Sequence, residues 1–493
     1  KIYIMKKINR LHLTKVTGMG LTLFSIASLQ NEAMGAGKTQ KTDNEKPNII
    51  YILADDLGYG DLSCYGQEKF ETPNIDRLAE EGMKFLQHYS GSTVSAPSRS
   101  VLMTGLHTGH TQIRGNQEVQ PEGQAPLEGS VVTVAELLKD AGYATGAYGK
   151  WGLGFPGSEG DPNKQGFDEF YGYNCQRYAH RYYPPHLWHN QEKINLKNDG
   201  TERITYAPDL IQEEALRFIE QHQDEPFFLY LPYTIPHAEL AVPDDNIMAE
   251  FRGKFPDEPY TGNDYGENFD YGGYCSVNNP RAIFAAMVTR LDQYVKEISN
   301  KIKALGIDEN TVIMFTSDNG PHLEGGADPH FFNSNGPLRG HKRDLYEGGI
   351  RVPFIVRWPG KVEPKRVSSH ISDFSDLLPT ACDMAGIEIP DNIDGISFLP
   401  ELTGKEQERH EYLYWEFTSA GGKKAIRMGN WKGVKVNINR NPDSPLLLYN
   451  LFEDKGEENN VADQYPEIVE ELNRKMKEAH TRSEDFLFEY EKN

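Results

Sequence analysis

The sequence NIIYILADDLG, at residues 48–58, predicts a buried strand that ends in two acidic residues. Its apolar residues follow one another without alternation, which is typical of a strand covered on both faces of a parallel sheet. TVIMFTSDNG, at residues 311–320, has the same form, because an apolar run is followed by Asp318 and Asn319. The ligand site of such a sheet lies beyond the carboxyl ends of its strands. These polar residues are therefore expected to lie together.

Two further apolar runs extend the pattern along the chain. PFFLYLPYTIPH (residues 226–237) and RVPFIVRWPG (residues 351–360) are predicted to be strands of the same parallel kind. Helical patterns lie between the strands, at residues 72–85, 133–145 and 285–306. Alternating strands and helices indicate the α/β class, with a large, mostly parallel sheet flanked by helices. The side chains expected at its carboxyl edge are those of Asp55, Asp56, His237, Asp318 and Asn319.

The chain is predicted to consist of a leader, a linker and two folded regions. Residues 1–37 carry basic residues, a short apolar run and then small residues, as a secretory signal peptide does; the alternative is a disordered extension. The apolar run is too short to span a membrane, so a periplasmic or secreted protein is expected. A polar linker, residues 38–46, leads to a catalytic domain at 47–400. Short strands followed by a helix predict a smaller, antiparallel α+β subdomain at 401–493.

Composition excludes some classes of function. The 493-residue chain has a formal net charge of −22, with 38% hydrophobic and 25% charged residues, which is typical of a globular protein. Nucleic acid is not an expected partner, because phosphate binding needs a basic surface. An anionic substrate is still compatible with a local basic pocket. The four cysteines show neither paired nor metal-binding spacing, so no disulfide framework is expected.

The polar residues at the two strand ends form a set of oxygen ligands. Asp55-Asp56 and Asp318-Asn319 offer carboxylate and amide oxygens, which suit calcium or magnesium better than zinc. Either pair alone is equally compatible with a helix cap and a solvated turn. Two pairs at equivalent strand ends favour a metal site.

The stretch GSTVSAPSRSVLMTG, at residues 91–105, presents a serine that has no neighbouring base. Its segment from Ser95 to Arg99, with Leu102 and Thr104-Gly105 behind it, resembles the signature of the type I sulfatases. The similarity runs from about residue 47 into the C-terminal subdomain, and it implies the fold of the alkaline phosphatase-like superfamily. Five further elements match: ADD at 54–56, GKW at 149–151, PH at 236–237, SDNG at 317–320 and LRGHKRDLYEGGIRVP at 338–353.

The resemblance implies a sulfatase whose nucleophile is made after translation. In this family a maturase oxidises the signature cysteine or serine to formylglycine, whose hydrated form attacks sulfur, so Ser95 needs no adjacent base. The resulting covalent sulfo-enzyme is split when the second hydroxyl expels sulfate. The usual metal is Ca²⁺, with Mg²⁺ as the alternative. The metal ligands implied are Asp55, Asp56, Ser95, Asp318 and Asn319.

Other catalytic roles carry over by position. Arg99 matches the arginine that holds formylglycine, and Lys150 and Lys342 match the lysines that contact sulfate. His237 matches the histidine that protonates the leaving alcohol. One position departs from the family, because many members have a histidine two residues after the GKW lysine, where this chain has Gly152. Either a histidine from elsewhere, such as His180, replaces it, or the hydrated aldehyde is stabilised differently.

Ser95 itself permits three interpretations. It is the native substrate of a serine-type, anaerobic maturase, or an engineered replacement of cysteine, or the mark of a catalytically silent relative. The first two interpretations leave the encoded activity as that of a sulfatase.

The expected substrate is a sulfated carbohydrate. Segments 155–208 and 242–280, rich in Gly, Pro, Tyr and Asn, are predicted to be long loops over the site. Aromatic and polar side chains together suit sugar rings, and the resemblance to secreted bacterial enzymes of glycan degradation favours a glycosaminoglycan, mucin-type or algal glycan. The alternatives are a phosphomonoester or phosphonate hydrolase of the same superfamily and a silent sulfated-glycan-binding protein. The candidate substrate-binding residues are Arg177, His180, Asp328 and His330.

Overall fold

The computed structural model describes residues 46–266 and 272–492. The expected signal peptide and all but the last residue of the expected linker lie outside these ranges. The strands in them are β1 (Asn48–Ala54), β2 (Met83–Tyr89), β3 (Glu118–Val119), β4 (Gly123–Gln124), β5 (Ala144–Lys150), β6 (Glu169–Tyr173), β7 (His186–His189), β8 (Glu192–Asn195), β9 (Phe227–Pro232), β10 (Thr311–Ser317), β11 (Arg351–Arg357), β12 (Arg366–Asp373), β13 (Leu413–Phe417), β14 (Lys423–Met428), β15 (Trp431–Val436) and β16 (Leu447–Asn450). The helices are α1 (Pro73–Glu81), α2 (Ser95–Thr104), α3 (Val134–Asp140), α4 (Ala207–Gln221), α5 (Asn246–Ala249), α6 (Pro280–Ala304), α7 (Pro329–Phe332), α8 (Glu347–Ile350), α9 (Leu377–Ala385), α10 (Leu399–Leu402) and α11 (Pro466–Glu478).

A ten-stranded sheet forms the centre of the protein, in the order β12-β2-β11-β10-β1-β9-β5-β6-β7-β8. The strands β10, β1, β9, β5 and β6 run parallel to one another, whereas β11 and β7 run against them. This arrangement confirms the predicted α/β class with a mostly parallel sheet. It also places the carboxyl ends of β1, β9, β5 and β10 at one edge.

The strand at residues 351–357 is buried, as predicted, but its direction was predicted incorrectly. β11 pairs antiparallel to β10, with Phe315 opposite Ile355. An apolar run reports burial on both faces and carries no information on direction. The chain leaves β10 at the carboxyl edge and stays there until β11 begins, so β11 has to run back through the sheet.

The strands of the sheet present alternate side chains to two separate cores. Ile50 and Ile52 of β1 pack into the core that contains Leu291 of α6, while Tyr51 packs on the opposite face with residues of α2, α3 and α9. All these side chains are buried. Helices on both faces therefore explain why β1 has no polar face.

No helix in the described ranges is long and apolar enough to cross a membrane.

The C-terminal region folds as predicted, into a small sheet with a helix. Its antiparallel order is β13-β14-β15-β16, and Leu472 and Met476 of α11 pack against Ile426 of β14. The opposite face contacts the main body, where the Trp415 indole donates to the carbonyl of Ser90 over 2.9 Å.

The same C-terminal region holds residues 338–350, in the connection between β10 and β11. Lys432 Nζ lies 2.8 Å from Glu347 Oε1, and both side chains are fully buried. Lys423 Nζ donates to Asp344 Oδ1 over 2.9 Å. The connection is therefore fixed by side chains that come from the small sheet.

Candidate active site

The predicted acidic pairs meet at the carboxyl edge of the sheet. Ala54 of β1 pairs with Ser317 of β10, so the residues that follow the two strands are brought side by side. The backbone N–H of Asp56 donates to Asp318 Oδ1 over 3.1 Å. Asp56 has φ 63°, in the left-handed region that costs an acidic residue backbone energy and is found at functional sites.

The oxygen atoms at this edge fit a hard divalent cation. Asn319 Nδ2 donates to Asp56 Oδ1 over 2.6 Å, which turns Asn319 Oδ1 away from that carboxylate. Within the described residues, Asn319 Oδ1 is buried and has no hydrogen-bond partner. A buried acceptor without a donor is costly in a protein interior, and a bound cation beside these carboxylates would satisfy it. Asp55 and Asp318 supply further carboxylate oxygens, so the residues present suit Ca²⁺ or Mg²⁺.

Asn319 is expected to contribute to the affinity of this site for its metal. Replacing Asn319 with Ala removes a neutral oxygen ligand and leaves the carboxylates, so the Kd for Ca²⁺ is expected to rise at least about tenfold. Calorimetric titration of the purified protein with Ca²⁺ alone measures this change. Asn473→Ala, on α11, is the control and should bind as the unaltered protein does. Equal affinity of the Asn319→Ala protein would remove Asn319 from the ligand set.

Ser95 is the first residue of α2 and lies beside these carboxylates. Its Oγ donates to Asp55 Oδ1 over 3.0 Å, and Lys150 Nζ lies 3.3 Å from the same Oγ. The N-terminus of a ten-residue helix favours negative charge. The helix ends at Thr104, and Gly105, with φ 70°, caps it by donating its N–H to the carbonyl of Val101. The oxygen at residue 95 is therefore held by charged partners that are distant in sequence.

Arg99 follows Ser95 by one helical turn and ties α2 to two strand ends. Its guanidinium donates to the Lys150 carbonyl over 2.6 Å and to Asp318 Oδ2 over 2.8 Å. Lys150 Nζ donates in turn to Asp55 Oδ2 over 2.6 Å. Burial alone would raise the pKa of Asp55, but the charges of Lys150 and Arg99 hold it below its usual range.

The pKa of Asp318 is shifted upward, in the opposite direction to that of Asp55. Burial, and then the neighbouring Asp55 carboxylate, raise the pKa of Asp318 to about 6. Two carboxylates this close disfavour each other's charged forms. A divalent cation between them would relieve this repulsion.

Lys342 and His237 form the other side of the site. Lys342 Nζ lies 2.7 Å from Asp56 Oδ2 and 2.8 Å from His237 Nε2. His237 Nδ1 contacts the carbonyl of Ala238, which can only accept, so Nδ1 carries the proton and Nε2 accepts from Lys342. Burial and the adjacent ammonium of Lys342 lower the pKa of His237 well below its usual value. The histidine is therefore neutral, and its partner lysine holds the proton.

These groups face a cavity of about 210 Å³. Ser95, His237 and Lys342 line it, together with Arg177 and His180 from the list of predicted substrate-binding residues. The ring of His180 stacks on that of His237, with centroids 4.7 Å apart. Arg177 Nε donates to Glu118 Oε1 over 2.7 Å at the rim.

Two of the predicted substrate-binding residues lie outside the cavity around Ser95. Asp328 accepts the N–H of Phe331 and forms an ion pair of 2.7 Å with Arg281. His330 is exposed and its ring lies 5.8 Å from that of His341. Neither residue lines the cavity around Ser95. The helix-capping role of Asp328 was indistinguishable, in sequence, from a role in ligand binding.

The sequence analysis missed several residues of the cavity wall. The short β3–β4 hairpin contributes polar groups at the rim, Arg343 comes from the matched element at 338–353, and the other residues come from loops without a motif. The one signal in the sequence was the Tyr- and Asn-rich composition of the loops, which does not identify individual residues. The missed lining residues are Asn116, Glu118, Gln124, Gln176, Tyr274 and Arg343.

Comparisons with known proteins agree with this geometry. The sulfatase family matches residues 47–387, and the C-terminal part of N-sulphoglucosamine sulphohydrolase matches residues 340–482. N-acetylgalactosamine-6-O-sulfatase of Bacteroides thetaiotaomicron is 32% identical, over 90% of this chain and 95% of that protein. N-acetylgalactosamine-6-sulfatase of Canis lupus familiaris is also 32% identical, over 79% of this chain and 71% of that protein.

A solved structure extends the similarity to the fold of nearly the whole chain. The crystal structure of Ps i-CgsB in complex with k-i-k-neocarrahexaose superposes with a TM-score of 0.75 at 30% identity, covering 91% of this chain and 96% of that one. The match over residues 47–387 takes in both strand-end pairs, Ser95 and Lys342. This chain belongs to the sulfatase family, within the alkaline phosphatase-like superfamily, and is a hydrolase of sulfuric esters.

Proposed function

We propose that this protein removes an O-sulfate group from a carbohydrate after Ser95 has been oxidised to formylglycine. The observation that carries the proposal is the position of the Ser95 oxygen. It lies between Asp55 and Lys150, and it opens into a cavity that also contains Lys342 and His237. An anionic ester that enters this cavity meets the Ser95 side chain and the Lys342 ammonium together, and the Lys150 ammonium lies 3.3 Å from the Ser95 oxygen.

Formylglycine would supply two geminal hydroxyls in its hydrated form, one to attack sulfur and the other to release sulfate. A Ca²⁺ ion, or Mg²⁺, would stabilise negative charge on these oxygens and on the sulfate. We propose that Asp55, Asp56, Asp318, Asn319 and the modified residue 95 hold the ion. Arg99 orients the modified side chain through α2, and Lys150 donates to the sulfate as its charge increases.

The leaving alcohol needs a proton, and the Lys342–His237 pair is placed to provide it. The proton of this pair resides on Lys342, and its N–H points to His237 Nε2. A proton that passes to the ester oxygen can therefore come from Lys342 directly or through His237. This differs from the sequence interpretation, in which His237 alone was the acid.

A carbohydrate substrate is supported by the cavity wall and by the names of relatives. Tyr274 and the imidazole of His180 provide ring faces beside polar groups such as Gln124 and Asn116. Amphipathic rings and amide groups are suited to sugars, which present both C–H faces and hydroxyls. Two relatives are named as N-acetylgalactosamine-6-sulfatases, which makes 6-O-sulfated N-acetylgalactosamine the first substrate to test.

Phosphoester hydrolases of this superfamily often hold a second metal near the first. The group Asp56, His322 and Glu324 is a candidate for it. However, Lys342 Nζ lies 2.7 Å from Asp56 Oδ2 and 3.6 Å from Glu324 Oε2, so an ammonium already occupies this place. A site with a single metal is therefore the better interpretation, which disfavours a two-metal phosphoesterase.

We also propose that the chain is exported to the periplasm or the medium. The support is the basic, apolar and small-residue pattern of residues 1–37. The partners proposed are a formylglycine-generating maturase that accepts serine and a sulfated saccharide. The domains proposed are the catalytic region at 47–400 and the α+β subdomain at 401–493.

The deciding experiment is an activity assay on matured protein. The chain is co-expressed with a serine-accepting maturase, and mass spectrometry confirms that the Ser95 peptide has lost two hydrogens. Release of sulfate from 6-O-sulfated N-acetylgalactosamine and other sulfated saccharides is then measured, beside release of phosphate from the matching esters. Sulfate release from a saccharide supports the proposal. Faster phosphate release, or saccharide binding without any turnover of matured protein, would replace it with the corresponding alternative.

A further inference from the structure

We propose that Gln176 donates a hydrogen bond to the bound sulfate ester, from the space that a side chain at position 152 would otherwise occupy. The inference rests on the proposed function and identifies a substrate contact within the same cavity. It also concerns the position at which this chain departs from the family pattern.

A side chain at position 152 would occupy the same space as the carboxamide of Gln176. A Cβ built on Gly152 would lie 2.3 Å from Gln176 Nε2, which is far closer than van der Waals contact. Gly152 also has φ 78°, a conformation that disfavours any side chain. Its N–H donates to the carbonyl of Asn174 over 3.2 Å, which holds the two segments together. The carboxamide of Gln176 therefore lies where a histidine side chain at position 152 would begin.

Gln176 has hydrogen-bonding capacity that the protein does not use. The side chain is only 7% exposed, and its backbone N–H donates to Gln124 Oε1 over 3.2 Å. Among the described residues, Nε2 is buried and has no hydrogen-bond partner. A buried amide without a partner is costly, so an arrangement of this kind points to a ligand that completes it.

The cavity points to an anion as that ligand. Gln176 lines the same cavity as Ser95, and the neighbouring cations already have carboxylate partners: Lys342 binds Asp56, and Arg343 binds Glu324. Sulfate oxygens can only accept hydrogen bonds, so a neutral amide donor is complementary to them. Rotation about the soft terminal torsion of glutamine exchanges Nε2 and Oε1, so the donor can be presented from either position of the carboxamide.

His180, the residue expected to compensate for Gly152, has a different position. Its ring stacks on His237, with centroids 4.7 Å apart and an angle of 10° between the planes. The His180 ring therefore packs against His237, on the side of the site where the leaving alcohol is proposed to receive its proton. Gln176 is the side chain that lies directly over Gly152.

The test uses the intact chain with Ser95 unoxidised, so that binding is measured without turnover. Calorimetry compares 6-O-sulfated N-acetylgalactosamine with its unsulfated counterpart. Gln176→Met keeps the volume and removes the donor, and it is expected to weaken binding of the sulfated sugar about 10- to 100-fold. Binding of the unsulfated sugar should not change. Gln176→Glu, which adds a negative charge, should weaken binding of the sulfated sugar further.

A matched control and a turnover assay separate the possible failures. Gln223→Met, at a half-exposed position outside the cavity, should leave both affinities unchanged. If matured, unsubstituted protein releases no sulfate, the proposed function fails first. If it is active and Gln176→Met binds the sulfated sugar normally, the inference is overturned. Equal losses for both sugars would also overturn it, because Gln176 would then act on the saccharide ring or on the fold.

Discussion

Ser95→Ala is expected to lower kcat/KM for sulfate release by about 10⁴-fold or more, because it removes the proposed nucleophile itself. The Ser95 oxygen is the atom placed 3.0 Å from Asp55 Oδ1 and 3.3 Å from Lys150 Nζ, and an alanine leaves nothing for the maturase to oxidise. The substrate pocket is otherwise retained, so saccharide binding should persist. Sulfate release and saccharide affinity are measured on the same preparations, after metal loading.

Ser100→Ala is the matched control for this experiment. Ser100 is buried on the same helix, and its Oγ lies 2.6 Å from Thr111 Oγ1, outside the cavity. This variant should keep most of the activity. Substantial sulfate release by Ser95→Ala would contradict the assignment of the nucleophile. Ser95→Cys, expressed with a cysteine-accepting maturase, should recover activity, and this outcome would show that the site accepts either precursor.

Lys432→Met is expected to destabilise the protein by about 3–5 kcal/mol, the cost of leaving buried charge without its partner. Lys432 Nζ lies 2.8 Å from Glu347 Oε1 and 3.2 Å from Glu457 Oε1, and all three side chains are fully buried. Burial would raise the pKa of Glu347, but Lys432 above all lowers it, to about 2. For Glu457, burial followed by the Glu347 charge raises the pKa to about 7.

Denaturant unfolding followed by fluorescence measures this loss as a lower midpoint. Lys435→Met is the control, because Lys435 lies on the same strand, β15, and its side chain is half-buried. This control should change the free energy of unfolding by less than about 1 kcal/mol. If the two variants unfold at the same denaturant concentration, the buried cluster does not contribute to stability as its geometry indicates.

The strand ends of the site could be predicted from the sequence, because each is a local pattern that is compatible with a single kind of structure. An apolar run followed by Asp55-Asp56 or Asp318-Asn319 specifies a buried strand and a polar end. The parallel pairing of β1 with β10 then brings the ends together. Lys342 was identified by motif, but its contact with His237 depends on the path of a long connection.

Other features were hidden from the sequence for physical reasons. Segment 155–208 was predicted to be a loop, yet it contains β6, β7 and β8, which extend the main sheet. Glycine and polar residues in these short edge strands obscure the alternation that identifies a strand. Gln176 could not be singled out either, because its significance depends on the absence of a side chain at Gly152, directly beside it.

The attachment of residues 338–350 to the small sheet has a consequence for how such enzymes can be recombined. Lys342 reaches Asp56 and His237 from a connection whose flanks are held by Lys423 and Lys432. A chimaera joined at residue 400 would pair Lys342 of one parent with the supporting sheet of the other parent. A junction before residue 338 keeps them together, so a donor of the C-terminal region should also donate the lysine.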